Sequence, residues 1–191
     1  PKGTYVAYGT TSGAKANKSS FWVAKTDGTG TPVMVNSSTN FASAVDTFGG
    51  YYFADEDNLL FLAGTTNTKM DLFHYKLSTK ALANLTKTDT ATAAPWKGGK
   101  LESDGGWIPA NGKFLYYVMG EPALTSGKYE GLYKVDLTTF AGAWIDKTIY
   151  INAESSAHSD MATVAGSDNV FFVAYKPGTV QLEDLYVFNQ S

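Results

Sequence analysis

The stretch Ile108-Pro-Ala-Asn-Gly-Lys-Phe-Leu-Tyr-Tyr117 is typical of two short strands joined by a tight turn, because Asn and Gly tolerate positive φ and aromatic residues favour strands. The apolar run that begins in its second half occurs, in variant forms, four times along the chain. Anchored on Tyr5, Leu60, Leu115 and Phe171, the copies lie 55, 55 and 56 residues apart. A repeat of this period predicts an array of small sheets, since one such unit cannot bury its apolar face alone and must pack on its neighbours.

Each repeat has the same predicted order of strands, which we call A, B, C and D. Strand B is the apolar run; a polar loop leads to strand C, and a short turn rich in Thr, Asp, Gly and Lys leads to strand D. The predicted ranges are 48–53, 106–108 and 161–164 for A, 4–9, 59–64, 114–120 and 170–175 for B, 21–23, 72–75, 132–135 and 185–188 for C, and 32–35, 82–85 and 143–145 for D. Four-stranded antiparallel sheets repeated radially are the blades of a β-propeller, so the sequence predicts an all-β fold of this class.

The segment 108–117 resembles the strand, Pro-x-Asp/Asn-Gly-Lys turn and strand of TolB-like (WD-repeat-like) propeller repeats. The segment 131–139 is similar to the strand and threonine-containing turn that follow in that family. The copies at 54–58 and 165–169 keep the turn residues but lack the proline. The resemblance covers nearly the whole chain, and it implies a propeller fold rather than an activity.

The number of blades follows from where the repeats begin and end. The first repeat starts at strand B and the last ends at strand C, so about three and a half blades are expected in a single domain, 1–191, with repeats roughly at 1–41, 42–92, 93–150 and 151–191. Propellers close with about 4 to 8 blades. We favour a partial propeller over a four-bladed ring, with a β-sandwich as the alternative architecture. A partial propeller would expose a sheet edge and an apolar face, and would be completed by a second copy, by another chain or by sequence outside these 191 residues.

Composition excludes several classes of partner. The 191 residues include no cysteine, and all 15 basic residues are lysine. The lack of arginine, whose planar group grips phosphates and base edges, argues against nucleic acid, as does the net charge of −3. No apolar run approaches the length of a membrane span. We expect an extracytoplasmic protein, whether periplasmic, on the cell surface or secreted.

The predicted ligand-binding surface is the edge where the long loops meet. In a propeller the B to C loops and the D to A loops lie on the same side, and long loops on a rigid scaffold commonly carry recognition. The B to C loops are 9–20, 64–71, 120–131 and 176–184, and the D to A loops are 36–47, 87–105 and 152–160.

Three aspartates stand just before the predicted A strands, at nearly equivalent positions of the repeat: Asp46, Asp104 and Asp160. If they converge at the channel mouth, their oxygens could hold Ca²⁺, the only cofactor candidate, or a cationic ligand. The alternative, which we favour, is that each aspartate caps its own turn through backbone N–H groups.

Two further side chains on these loops are candidates for ligand contact. Trp96 lies in a polar loop, where an indole is suited to stack on a sugar or a flat ligand, unless the loop folds back and buries it between blades. His158, beside Asp160, is the one imidazole placed to act as a general base. By contrast, His74 is expected to face solvent on a C strand, and the acidic run 55–57 is expected to be a solvated turn rather than a metal site.

Catalytic signatures are few, and no residue is assigned as catalytic. The chain has no Gly-x-Ser-x-Gly elbow, no phosphate-binding Gly-x-x-x-x-Gly-Lys loop and no His-Glu-x-x-His helix. We therefore favour a non-enzymatic binding or scaffold module for a protein, glycan or small ligand. A hydrolase or lyase acting on polysaccharide or peptide, with Asp104, His158 and Asp160 in its site, is implied only by analogy with TolB-like propellers. A third alternative is a subunit of a surface assembly.

Overall fold

A computed structural model describes residues 3–11, 19–35, 47–66, 69–86, 100–101, 108–110, 113–120, 130–146, 161–164, 167, 169–175 and 183–189. Within these ranges the chain consists of strands and the turns that join them, with no helix. The strands form four separate antiparallel sheets. The predicted all-β class is confirmed, and four sheets instead of two rule out the sandwich alternative.

The four sheets follow one another along the chain. Sheet 1 contains β1 (Tyr5–Thr11), β2 (Ser19–Lys25) and β3 (Val33–Met34), and sheet 2 contains β4 (Thr47–Phe53), β5 (Asn58–Thr66), β6 (Lys69–Lys76) and β7 (Ala81–Asn84). Sheet 3 contains β8 (Lys100–Leu101), β9 (Ile108–Ala110), β10 (Phe114–Gly120), β11 (Glu130–Asp136) and β12 (Gly142–Asp146), and sheet 4 contains β13 (Met161–Thr163), β14 (Asn169–Tyr175) and β15 (Glu183–Asn189).

Each sheet is a propeller blade, because its strands pair in an up-and-down order along the chain, with one exception in sheet 3, where β8 and β9 both pair with β10. Sheet 2 has all four strands in the order A, B, C, D. In the described part of the chain, sheet 1 consists of B, C and D, and sheet 4 of A, B and C. The prediction of four-stranded blades, about three and a half in number, is therefore confirmed.

Sheet 3 differs from the prediction at strand A. Two short strands, β8 and β9, take the place of the single strand predicted at 106–108, and both pair with β10. β8 pairs at the end of β10, with Leu101 opposite Met119, and β9 at its start, with Pro109 opposite Leu115. Proline cannot donate a ladder hydrogen bond, so it is confined to an edge position of this kind.

The chain divides into two compact units, residues 1–87 with sheets 1 and 2 and residues 88–191 with sheets 3 and 4. In the first unit, one face of sheet 1 packs on one face of sheet 2 around Phe21 and Phe61, whose ring centroids are 5.1 Å apart. The buried side chains of this core are Ala7, Phe21, Val23, Val35, Leu59, Phe61, Ala63 and Tyr75. Burying each large apolar side chain contributes about 1.5–3 kcal/mol, so this face holds the two blades together.

In the second unit, sheets 3 and 4 are joined partly by a cation. Lys134 of β11 places its Nζ 4.6 Å from the centre of the Phe114 ring and 5.7 Å from that of Phe188 in sheet 4. An ammonium over aromatic faces is attracted by the ring quadrupoles. Lys134 therefore contributes to the packing of one blade on the next.

A helix that could span a membrane is absent from the part of the chain that the structure describes. The repeat boundaries proposed from the sequence stay a prediction.

Candidate functional site

The side chains proposed from the sequence for ligand or Ca²⁺ binding all lie outside the described residues. They are Asp46, Trp96, Asp104, His158 and Asp160. Their convergence at one site therefore stays a prediction. What the structure does describe is the sheet edge from which their loops leave.

The strand registers of sheet 2 define two opposite edges. Thr47 pairs with Gly64, and Gly64 with Met70, at one edge, which we call the loop edge. Asn58 pairs with Lys76 at the other, which we call the turn edge. The B to C and D to A connections both leave from the loop edge, as predicted for a propeller blade.

A buried carboxylate, Asp71, lies at the loop edge near the start of β6. It is only 6% exposed. Thr86 Oγ1 donates a hydrogen bond of 2.6 Å to one carboxylate oxygen, and Asn84 Nδ2 donates one of 2.8 Å to the other. A buried carboxylate is tolerated only when its oxygens are satisfied in this way.

The same side chains continue strand D beyond its last paired residue. Leu72 N–H donates to Thr86 Oγ1 at 3.1 Å, and Leu85 N–H donates to the Leu72 carbonyl at 2.8 Å. Thr86 N–H also donates to Asn84 Oδ1 at 3.1 Å. The chain therefore leaves sheet 2 from a fixed point, at the start of the connection that carries Trp96.

Sequence reasoning missed the role of Asp71. The available signal was a carboxylate between Met70 and Leu72 on strand C, with two polar side chains, Asn84 and Thr86, in alternate positions at the end of strand D. Alternate residues of a strand share a face, so Asn84 and Thr86 can both reach Asp71.

At the turn edge, Asp55 organises the tight turn between β4 and β5. Its Oδ1 accepts hydrogen bonds from the N–H groups of Asp57 (2.7 Å) and Asn58 (2.9 Å), and Asn58 Nδ2 donates to both of its oxygens. Burial raises the pKa of Asp55, but these hydrogen bonds outweigh that effect and hold the pKa below its ordinary value.

Asp57 joins this turn to the next one. It accepts hydrogen bonds from Ser78 N–H (2.6 Å) and Ser78 Oγ (2.8 Å), and Lys76 Nζ lies 3.8 Å away. The acidic run is thus a hydrogen-bonded turn, as the sequence predicted. Among the residues that the structure describes, no three side chains are grouped so that they could hold a metal ion.

His74 is half-buried beside this turn instead of facing solvent. Its Nε2 lies 2.8 Å from Asn58 Oδ1. Because Asn58 Nδ2 donates to Asp55, Oδ1 is the acceptor, which requires a proton on His74 Nε2. Burial lowers the pKa of His74, opposed in part by the negative charge of Asp55. His74 therefore holds strand C against the turn between β4 and β5.

No protein-family model matches the chain, and no curated protein matches it. Among solved structures, the chain is similar to the tricorn protease, with a TM-score of 0.52 and 12% identity over 90% of this chain and 14% of that one. It is also similar to a puromycin hydrolase S511A mutant complexed with PGG, with a TM-score of 0.53 and 13% identity over 98% of this chain and 25% of that one. TolB from Acinetobacter baumannii matches with a TM-score of 0.42 and 15% identity over 97% of this chain and 50% of that one.

At 12% and 13% identity, the first two similarities concern the fold alone. The likeness to TolB is too low in TM-score to add to them. The chain spans from 14% to 50% of the length of these three proteins. The propeller part of the resemblance stated from the sequence is supported by the up-and-down sheets of the described residues. The activities of the larger proteins are not assigned to this chain.

Proposed function

We propose that this propeller module binds a protein, glycan or small ligand through its loop edge and has no catalytic centre of its own. The observation that carries the proposal is the difference between the two edges of sheet 2. A buried network around Asp71 anchors the chain where it leaves the loop edge. A rigid sheet that presents long connections is the usual design of a recognition surface.

The distribution of connections in the other sheets supports this choice of edge. Between described strands, the B to C connections include residues 12–18, 121–129 and 176–182. The opposite edge includes short hydrogen-bonded turns, such as the one in which Asp136 accepts from Thr138 N–H and Thr139 N–H. The longest of these B to C connections is thus on the loop edge of sheet 3, whereas in sheet 2 only residues 67–68 join β5 to β6.

A hydrolase is the second candidate, because two structurally similar proteins are named a protease and a hydrolase. The chain spans only 14% and 25% of them, so the matched part need not include their reacting groups. In the described ranges, the imidazole of His74 is engaged with Asn58 in a turn. These observations favour binding over catalysis.

The test is a screen of the full chain against glycan and peptide arrays, together with turnover assays on the same compounds. Two loop-edge variants, Trp96→Ala and the pair Asp104→Ala with Asp160→Ala, are compared with the turn-edge control Ser78→Ala. We expect binding that is lost in a loop-edge variant and retained in the control, with no turnover. Turnover that disappears in the Asp104 and Asp160 pair would establish the hydrolase instead.

We also infer that the module works outside the cytoplasm. The support is compositional: charged residues make up 17% of the chain, against about 25% in an average soluble domain, and cysteine is absent. Fractionation of source cells with an antibody against the chain tests this, and recovery only from the cytoplasmic fraction would contradict it.

A further inference from the structure

We draw no further inference here: the strongest candidate, the buried Asp71 carboxylate at the loop edge of sheet 2, belongs to the hydrogen-bond network already described, where Thr86 and Asn84 each donate to one of its oxygens, and no second feature of the described residues points to a ligand there.

Discussion

At the loop edge of sheet 2, Asp71 is buried and takes its hydrogen bonds from the side chains of Asn84 and Thr86. At the turn edge, Asp55 is exposed and takes them mainly from the turn that it caps. The two carboxylates have the same chemistry, but water can replace the partners of Asp55 and cannot easily reach Asp71. The difference indicates that a substitution in the buried hydrogen-bond network of the loop edge should cost more stability than one at the turn edge. The turn edge is stabilised by several weak hydrogen bonds between residues close in sequence.

The largest effect is expected at Asp71. Asp71→Ala should lower the free energy of unfolding by about 3 kcal/mol, because it leaves Asn84 and Thr86 without their carboxylate partner in a buried place. Chemical denaturation of the full chain measures this. The matched variant Asp71→Asn keeps the shape and one acceptor and should lose less. Equal losses in Ala and Asn variants would show that the charge-assisted hydrogen bonds, and not packing, account for the whole effect.

A gain in the free energy of unfolding, instead of a loss, is expected from a substitution at Tyr75. Unlike Asp71, Tyr75 has a buried polar group without a hydrogen-bond partner. Its hydroxyl is buried and makes no hydrogen bond in the described structure, and burial raises its pKa. Tyr75→Phe removes a buried, unsatisfied hydroxyl and should raise the free energy of unfolding by about 1 kcal/mol. A lower melting temperature for Tyr75→Phe would contradict this account.

At the turn edge, Asp55→Ala should cost about 1 kcal/mol, since it removes the acceptor of several local hydrogen bonds from an exposed turn. Asp55→Asn should recover part of the loss because it keeps one acceptor oxygen. Thermal unfolding of both variants checks the order. A loss of stability as large as that of Asp71→Ala would contradict the expectation that the buried carboxylate contributes more than the exposed one.

The pH dependence of the free energy of unfolding should reveal the contribution of His74. Since burial holds its folded-state pKa below the ordinary value of 6.5, the unfolded chain binds the proton more readily. The contribution of neutral His74 to the stability of the fold is complete above pH 6.5, and it is lost as the pH falls from there towards the folded-state pKa. The pKa of Asp55 is lowered from 3.8, so its own contribution is lost only at more acidic pH. Unfolding followed between pH 7 and pH 5 should show a decline in the parent that His74→Gln lessens.

The smallest effect is expected for the ion pair between Lys76 and Asp57. Its atoms are 3.8 Å apart and both side chains are substantially exposed. Lys76→Met should change the free energy of unfolding by less than about 0.5 kcal/mol. Measurement at low and high salt provides the control, because a pair that mattered would lose strength as salt screens it.

Much of the fold could be predicted from local pattern. Strand B of each repeat is a short run of apolar and aromatic residues, and turns such as 54–58 carry Asp and Asn, so strand order and blade type follow from residues close in sequence. Strand A of sheet 3 was misplaced because Pro109 and a second short strand at Lys100–Leu101 divide that position, which a single period cannot show.

The candidate site was less predictable, for a physical reason. Asp71 depends on Thr86, which is 15 residues away, and His74 on Asn58, which is 16 residues away. Such pairs meet only when the register of two neighbouring strands is known. A shift of one residue would turn each side chain to the opposite face.

By itself, the sequence determined that this protein is a series of antiparallel blades, because a repeat of apolar runs and turn residues acts through local preferences that need no distant partner. Only the tertiary structure decided which polar side chains are buried and which edge is anchored. Those properties depend on what lies across the sheet and between sheets, and burial is a property of the packed chain rather than of any residue in it.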